Sequence, residues 1–362
     1  MEQFDDIRPY NDKELPAALQ RITEWSDFPQ AIKFIYPNGD INEIKKKLLS
    51  ITTIHEFQAT LMYDAISRII NTTTNGFTHS GLNHLRRGVA YLFVSNHRDI
   101  TLDAFLLQRL LIEHRGDTSH IVFGQNLLSL PIMEDLFRSN KLIRMERGGT
   151  PRAFYDSLHH LSAFLSHLII DQRQSVWIAQ KNGRAKDGND ITAPAMIKML
   201  CLGCQTDPLR QLNDLHLVPV SISYEWDPCD LMKAHELYQS QRGKYQKAPD
   251  EDIKSVVSGI IGPKGKVHLA IGAPLSHREL IPPDGEDIFE HVASLIDRRI
   301  HGNYRLMPTN YAAHALLTGQ HSSGRYTQHT IDGLKARLSK LPNEEMRRLL
   351  LENYANPVIN SR

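Results

Sequence analysis

The chain has 362 residues, 41% hydrophobic and 23% charged, which is enough apolar material to bury a substantial core. Its 42 basic and 41 acidic residues give a net charge of +1, so it lacks the overall positive field that nucleic-acid-binding proteins carry, and we expect no nucleic-acid partner. Three cysteines argue against a disulfide framework, and no apolar run approaches the roughly 18 to 20 residues of a membrane-spanning helix. We therefore expect a cytoplasmic protein that is soluble or lies on a membrane surface.

The first part of the chain has a helical pattern, and we assign residues 1–77 to an N-terminal helical region. Apolar residues recur at spacings of three and four through residues 41–70, and Lys45, Lys46 and Lys47 lie beside them. The simpler interpretation is a helix packed on a core with its charged face in solvent. The alternative is an amphipathic helix that lies flat on a membrane. The polar segment 71–75 is expected to break the helix.

Strand and helix patterns then alternate. The segments with strand patterns are 89–95, 119–123, 141–146, 175–180, 216–224 and 266–271. The segments with helical patterns between them are 103–115, 151–171 and 191–203. This alternation predicts an α/β domain over residues 78–280, with a mostly parallel sheet flanked by helices. Residues 230–260 look polar and irregular beyond a helix at 229–243, and residues 281–362 predict a C-terminal helical region.

The most informative residue is His97, which follows the apolar run 89–94 and a short polar pair. A helical pattern begins after Asp103. A histidine delivered by a strand to the start of a helix, with an aspartate in reach, has the arrangement of a general base whose tautomer is held by a carboxylate. Asp99 and Asp103 are both close enough in sequence to supply that carboxylate.

This segment has two other interpretations. His97-Arg98-Asp99 mimics the catalytic loop of protein kinases, but Ala104 occupies the position where that loop needs an asparagine. The sequence also has no Asp-Phe-Gly motif, so the kinase interpretation fails. The other alternative is structural, with His97 capping a helix or filling a gap in the core.

Four sequence blocks in order resemble the glycerophosphate and lysophosphatidate acyltransferase family over roughly residues 78–275. The first is Ser95-Asn96-His97 with Asp103, and the second is the arginine-bearing segment 141–147. The third is the glycine-flanked basic segment 177–188, and the fourth is the proline-bearing strand 217–225. One block alone is weakly specific, whereas four in order with sensible spacing are strongly specific.

The resemblance implies an O-acyltransferase of phospholipid biosynthesis, with an α/β fold of the glycerolipid acyltransferase type. Its acyl donor would be acyl-CoA or acyl carrier protein, and its acceptor a hydroxyl of glycerol 3-phosphate or lysophosphatidate. His97 would be the base and Asp103 its orienting partner. The acceptor phosphate would be held by the basic residues of the second and third blocks, namely Arg147, Lys181, Arg184 and Lys186. No metal or cofactor is implied, and the enzyme would be peripheral on the inner face of a membrane.

The chain departs from the family pattern in two places. Five residues, rather than the usual four, separate His97 from Asp103, although the apolar run after Asp103 favours it over Asp99. The third block has Lys181 and Asn182 where the family carries a glutamate. The second departure leaves the acceptor open. O-acylation of another lysolipid, such as a lyso-aminolipid, and a non-catalytic lipid-binding role are therefore kept as alternatives.

Overall fold

The fold is known from a computed structural model, which describes residues 2–125, 131–146, 148–204, 206–248 and 250–361. Within them a seven-stranded sheet has the order β1-β7-β6-β2-β5-β3-β4. Its strands are β1 (Thr74–Ser80), β2 (Leu92–Ser95), β3 (His120–Gly124), β4 (Leu142–Met145), β5 (Val176–Ala179), β6 (Leu217–Tyr224) and β7 (Gly265–Ile271). The β6–β7 pair is antiparallel and the other neighbouring pairs are parallel. The predicted fold class, a mostly parallel α/β sheet flanked by helices, is confirmed.

The described helices follow the chain from end to end. The bounds of the helices are α1 (Leu15–Glu24), α2 (Phe28–Ile35), α3 (Ile41–Ser50), α4 (Ile54–Glu56), α5 (Tyr63–Thr73), α6 (Leu102–Arg115), α7 (Pro131–Arg138), α8 (Pro151–Ser166), α9 (Pro194–Met199), α10 (Pro208–Asp214), α11 (Asp230–Ser240), α12 (Glu251–Ile261), α13 (His277–Leu280), α14 (Ile288–Asn303), α15 (Pro308–Thr318), α16 (Gln328–Leu338) and α17 (Glu344–Asn360). Single π-helical stretches, Phe57–Met62 and His167–Asp171, join α4 to α5 and extend α8.

All six predicted strands are present, and β1 is an addition that the sequence pattern did not predict. β1 lies at the edge of the sheet, pairs with β7, and leaves most of its side chains exposed. An edge strand does not need the apolar run that marks a buried one, so the polar sequence of β1 carries no strand signal. The helix break predicted within 71–75 is present, since α5 ends at Thr73. β1 also runs across the predicted boundary between residues 77 and 78.

The central strands are covered on both faces, which explains their continuous apolar sequence. Successive side chains of β2 alternate between two clusters, since Leu92 and Val94 belong to one and Phe93 to the other. The first cluster includes buried residues of α8 and α14, and the second includes residues of α5 and α6. This packing places α14 in the main core, although the sequence pattern assigned it to the C-terminal region.

The N-terminal stretch 41–70 is packed against the rest of the protein. Leu48, Ile54 and Phe57 are buried in a cluster with α1 and α2, while Ile66 and Ile69 join the core beneath the sheet. The core interpretation of this stretch therefore describes the structure, and most of its apolar side chains are not available to a membrane. In the part of the chain that the structure describes, no helix is long and apolar enough to cross a bilayer.

The segment after β6 differs most from its predicted form. The polar stretch expected to be irregular contains the helix α12. Ser255 and Gly259 on one side of α12 are buried, whereas Ile253, Val257 and Ile261 on its outer side are exposed. The small inward-facing residues weaken the apolar signal on which a helix prediction depends.

Other helices also differ from the prediction. The predicted helix at 191–203 shortens to α9, and α7 and α10 were not predicted. α15, α16 and α17 pack with α11 in a separate C-terminal cluster.

Candidate active site

The segment between β2 and α6 forms a corner at the carboxyl end of the central strands, where α/β sheets commonly bind ligands. Asn96 ties this corner to β6, because its Oδ1 accepts from the backbone N–H of Ile222 at 2.7 Å. Its Nδ2 donates to Asp190 Oδ2 at 3.1 Å and to the carbonyl of Ile222 at 3.0 Å. These bonds fix Asn96, the residue immediately before His97, in a buried position.

His97 and Asp103 are in direct contact. His97 Nδ1 lies 2.9 Å from Asp103 Oδ2, and the Asp103 side chain is fully buried while that of His97 is 15% exposed. A carboxylate can only accept, so Nδ1 carries the hydrogen and donates it. The neutral imidazole then presents the lone pair of Nε2, which has no hydrogen-bond partner among the described residues. The pair has the geometry of an oriented general base.

Asp103 is held by three further donors. Its Oδ2 accepts from the backbone N–H groups of Arg98 at 2.5 Å and Asp99 at 2.9 Å. Its Oδ1 accepts from the hydroxyl of Tyr224 at 2.8 Å. Both oxygens of this buried carboxyl group are therefore hydrogen-bonded, which fixes its plane beside the imidazole.

Asp99 has a different position. Its Oδ1 accepts from the backbone N–H groups of Thr101 and Leu102 at 2.9 and 2.8 Å, which caps the start of α6. Burial, together with the negative charge of Asp103, raises the pKa of the Asp99 carboxyl group. The geometry therefore gives contact with the imidazole to Asp103 and helix capping to Asp99.

Trp177 on β5 packs against the imidazole of His97. The two ring centroids are 5.6 Å apart with an interplanar angle of 75°, an edge-to-face arrangement. Trp177 is buried and restricts the orientations open to the imidazole. Sequence reasoning did not assign it a role, although it stands in the third block.

The basic loop, residues 180–190, is attached directly to the corner. The N–H of Ala185 donates to the carbonyl of His97 at 2.7 Å, and the N–H of Gln180 donates to the carbonyl of Ser95 at 2.8 Å. The sequence-predicted base and the predicted phosphate-binding loop are thus neighbours in space. A ligand anion held by this loop would lie next to His97.

Arg184, the predicted centre of the phosphate clamp, is covered by α12. The residue is 8% exposed, and its Nη2 donates to Ser255 Oγ at 3.1 Å. Its Nη1 is buried without a hydrogen-bond partner among the described residues. A Cβ atom at Gly259 would overlap the carboxylate of Asp99, so α12 lies closely against this part of the site. Arg184 thus has an unused donor but no open path to it.

The other predicted phosphate ligands have different surroundings. Lys186 Nζ forms an ion pair with Glu236 at 3.0 Å. Lys181 is partly exposed and forms no ion pair with any described residue. Arg147 lies outside the described residues. The geometry brings Lys181, Arg184 and Lys186 onto one loop beside His97, and of the three only Lys181 is both partly exposed and without an ion pair to a described residue.

The comparisons with known proteins add a family to this geometry. Residues 76–223 match the family model described as "Acyltransferase". We refer to these residues as the acyltransferase domain, after the family model that they match. This range contains His97, Asp103 and the basic loop, and it ends one residue before Tyr224.

Two further comparisons accompany the family match of the acyltransferase domain. A crystal structure of the 1-acyl-sn-glycerophosphate acyltransferase PlsC from Thermotoga maritima is similar at 12% identity. Its match covers 80% of this chain and 92% of that chain, with a TM-score of 0.39. No curated protein matches this chain in sequence.

The C-terminal helices support the acyltransferase domain through Arg98, which sequence reasoning did not single out. Its buried guanidinium donates to Asp190 Oδ2 at 2.5 Å and to Asn353 Oδ1 on α17 at 3.0 Å. Gly188 has a φ of 77°, and a Cβ there would overlap the backbone of Asn353. The absence of a side chain at Gly188 therefore lets the basic loop approach α17 closely.

The described residues of the acyltransferase domain hold the parts of a proton-transfer site. They bring together an oriented imidazole, a buried carboxylate and a basic loop. No group of three or more histidine, cysteine, aspartate or glutamate residues arranged to hold a metal occurs among them. The arrangement can accept a proton from a hydroxyl group and hold the resulting charge on a histidine paired with a carboxylate.

Proposed function

We propose that the acyltransferase domain moves a fatty acyl group from a thioester donor, acyl-CoA or acyl carrier protein, to a hydroxyl of glycerol 3-phosphate or lysophosphatidate. The observation that carries this proposal is the contact between His97 Nδ1 and Asp103 Oδ2, which leaves Nε2 for the acceptor. It lies within the residues that match the acyltransferase family. The reaction would serve phospholipid biosynthesis.

In the proposed reaction, His97 Nε2 removes the proton of the acceptor hydroxyl as its oxygen attacks the thioester carbonyl. A C–O bond forms, the C–S bond breaks, and the thiolate leaves with the proton that His97 returns. The carboxylate of Asp103 stabilises the imidazolium that exists between these events. The thioester is already activated, so these residues need to supply proton transfer and positioning.

The basic loop supports a phosphorylated acceptor. Because Ala185 is hydrogen-bonded to the backbone of His97, a phosphate on this loop would place a nearby glycerol hydroxyl close to Nε2. Lys181 supplies an accessible charge, and Arg184 supplies the unused Nη1 donor once α12 moves aside. Lysolipids whose head groups carry a different charge are alternative acceptors for the same site.

Purified protein assayed with labelled acyl-CoA and acyl carrier protein tests this proposal. The acceptor panel contains glycerol 3-phosphate, lysophosphatidate, a lysophospholipid with a larger head group and a lyso-aminolipid. We expect transfer to a phosphorylated glycerol acceptor and none with His97→Ala. Transfer only to the lyso-aminolipid would show that the acceptor is a lyso-aminolipid and not a phosphorylated glycerol. Lipid binding without transfer to any acceptor would favour a non-catalytic role.

We also propose that the protein works on the cytoplasmic face of a membrane, since its acceptor or product is a lipid. Exposed Ile253, Val257 and Ile261 form a row along the outer side of α12, the helix that covers Arg184. This row offers apolar area next to the site that the packed N-terminal helices do not provide. It replaces the stretch 41–70 as the surface we expect to contact lipid.

Liposome flotation with two matched variants distinguishes these surfaces. Val257 on α12 and Leu49 on α3 are 39% and 47% exposed, so Val257→Asp and Leu49→Asp make similar changes at the surface. We expect Val257→Asp to reduce flotation with anionic vesicles and Leu49→Asp to leave it near the wild-type level. Reduction by Leu49→Asp alone would return the contact to the N-terminal stretch. Failure of the wild-type protein to float with any vesicle would contradict the membrane proposal.

A further inference from the structure

Tyr224, the last residue of β6, is hydrogen-bonded to the carboxylate that holds His97. Its hydroxyl donates to Asp103 Oδ1 at 2.8 Å, while His97 Nδ1 donates to Asp103 Oδ2 at 2.9 Å. Tyr224 is 4% exposed and Asp103 is 2% exposed, so water does not compete for either oxygen. The three side chains form one continuous hydrogen-bonded line from β6 to the imidazole of His97.

We propose that Tyr224 is a positioning residue that sets the basicity of His97 through Asp103. The hydroxyl draws negative charge toward Oδ1 and fixes the plane of the carboxylate, so that Oδ2 faces the imidazole. Loss of this donor would concentrate the charge on Oδ2 and bind the protonated imidazole more strongly. This role rests on the proposed acyl transfer and adds a residue to it.

The tyrosine is suited to this role because it remains a donor at every working pH. Burial, reinforced by the negative charge of Asp103, raises the pKa of Tyr224 well above its usual value of 10. Charged groups from four segments face this line of residues. They are Asp99 and Arg98 on the same corner, Arg184 on the basic loop, Asp227 after β6 and Lys264 before β7.

The pH dependence of kcat/KM in the Tyr224→Phe variant tests the proposal. We expect the acid limb of the profile to move up by about one pH unit and kcat to fall about 10-fold. The KM values of donor and acceptor should stay within about 2-fold, because the Tyr224 hydroxyl is hydrogen-bonded to Asp103 and not to the basic loop. A wild-type acid limb in this variant would overturn the proposal.

Tyr354→Phe is the matched control. Tyr354 is 3% exposed, and its hydroxyl donates to another buried carboxylate, Asp230 Oδ2, at 2.7 Å. The two variants therefore delete the same group from equally buried sites. We expect Tyr354→Phe to keep the wild-type acid limb. An equal shift in both variants would show general loosening of the fold and would overturn the specific role of Tyr224.

Substitution of residue 224 by 3,5-difluorotyrosine gives a test in the opposite direction. This side chain keeps the shape of tyrosine and donates a stronger hydrogen bond, so the acid limb should move to lower pH. It also covers the case in which Tyr224→Phe does not fold. A shift to higher pH would contradict the account.

Carbethoxylation of His97 by diethyl pyrocarbonate separates this proposal from the proposed function. Only the neutral imidazole reacts, and mass spectrometry of the peptide containing His97 follows the rate against pH without any substrate. We expect the midpoint to move up in Tyr224→Phe and to stay in Tyr354→Phe. An unchanged midpoint overturns the role of Tyr224 even if acyl transfer is confirmed, and a shifted midpoint supports it even if another acceptor is found.

Discussion

The corner at residues 95–103 and the basic loop at residues 180–190 lie side by side but are prepared for function to different degrees. In the corner, His97, Asp103 and Tyr224 already have their partners, and Nε2 is left available. In the basic loop, Arg184 is covered by α12 and Lys186 is paired with Glu236. The comparison teaches that the proton-transfer group is preorganised, whereas anion binding at Arg184 requires movement of α12.

The largest expected effect comes from breaking the corner at His97. His97→Ala removes the proposed base, and loss of a general base typically lowers the rate by about 100-fold to 10,000-fold. Steady-state transfer of labelled acyl groups measures it, and circular dichroism checks that the fold is retained. Near-wild-type turnover in a folded His97→Ala protein would show that His97 and its corner take no part in catalysis.

A second prediction compares the two carboxylates of the corner. Asp103→Asn should lower kcat by about 100-fold or more, since it removes the charge that stabilises the imidazolium. Asp99→Asn keeps an acceptor for the cap of α6 and should lower kcat less than about 10-fold. Both residues are buried, so each variant controls for the other. The reverse order would transfer the orienting role to Asp99.

A third prediction concerns the basic loop. Arg184→Ala should raise the acceptor KM about 10-fold or more with little change in donor KM, because one charge-assisted hydrogen bond is worth about 1.5 to 3 kcal/mol. Arg147→Ala should act in the same direction more weakly. Lys186→Ala is the comparison within the loop, and its existing ion pair with Glu236 predicts a smaller rise. Equal effects on both substrates would assign Arg184 to the donor or to the fold.

The smallest expected effect is the contribution of His120 to the loss of stability at acid pH. Measuring it distinguishes loss of activity at the corner from unfolding of the protein. Burial lowers the pKa of His120 on β3 from 6.5 to about 4. Between these values the unfolded chain binds a proton that the folded protein does not, so stability falls as pH is lowered through this window. The contribution is at most about 1.4 kcal/mol per pH unit.

Urea unfolding at pH 7, 6 and 5 measures this contribution. The decrease in the free energy of unfolding should be smaller in His120→Gln than in the wild type. An identical decrease in both proteins would show that His120 is not responsible. Activity profiles are then interpreted only where the protein is folded.

The residues that could be predicted from sequence are those whose signal is local. The apolar runs of the buried strands marked the sheet, and His97 and Asp103 stand six positions apart at the end of one of them. The polar edge strand β1 and the small-residue face of α12 carry weak local patterns and were missed. Their place depends on which elements lie beside them.

The supporting contacts of the corner depend on the order of the strands, which local sequence does not supply. Tyr224 reaches Asp103 because β6 is adjacent to β2, and Asn353 reaches Arg98 across 255 positions of the chain. The sequence placed Arg184 in a basic loop but carried no sign that α12 would cover it. Roles within one segment were therefore predictable, and partners between distant segments were not.

The pH dependence of acyl transfer in a single turnover tests the central claim most directly, that His97 is the group that accepts the proton. Enzyme in excess over labelled acyl donor, with saturating acceptor, isolates transfer from product release. The account predicts that the wild-type rate rises with pH through one ionisation and that the residual rate of His97→Ala is independent of pH over the same range. A residual rate in His97→Ala that keeps the wild-type acid limb would contradict it, because another group would then be the base.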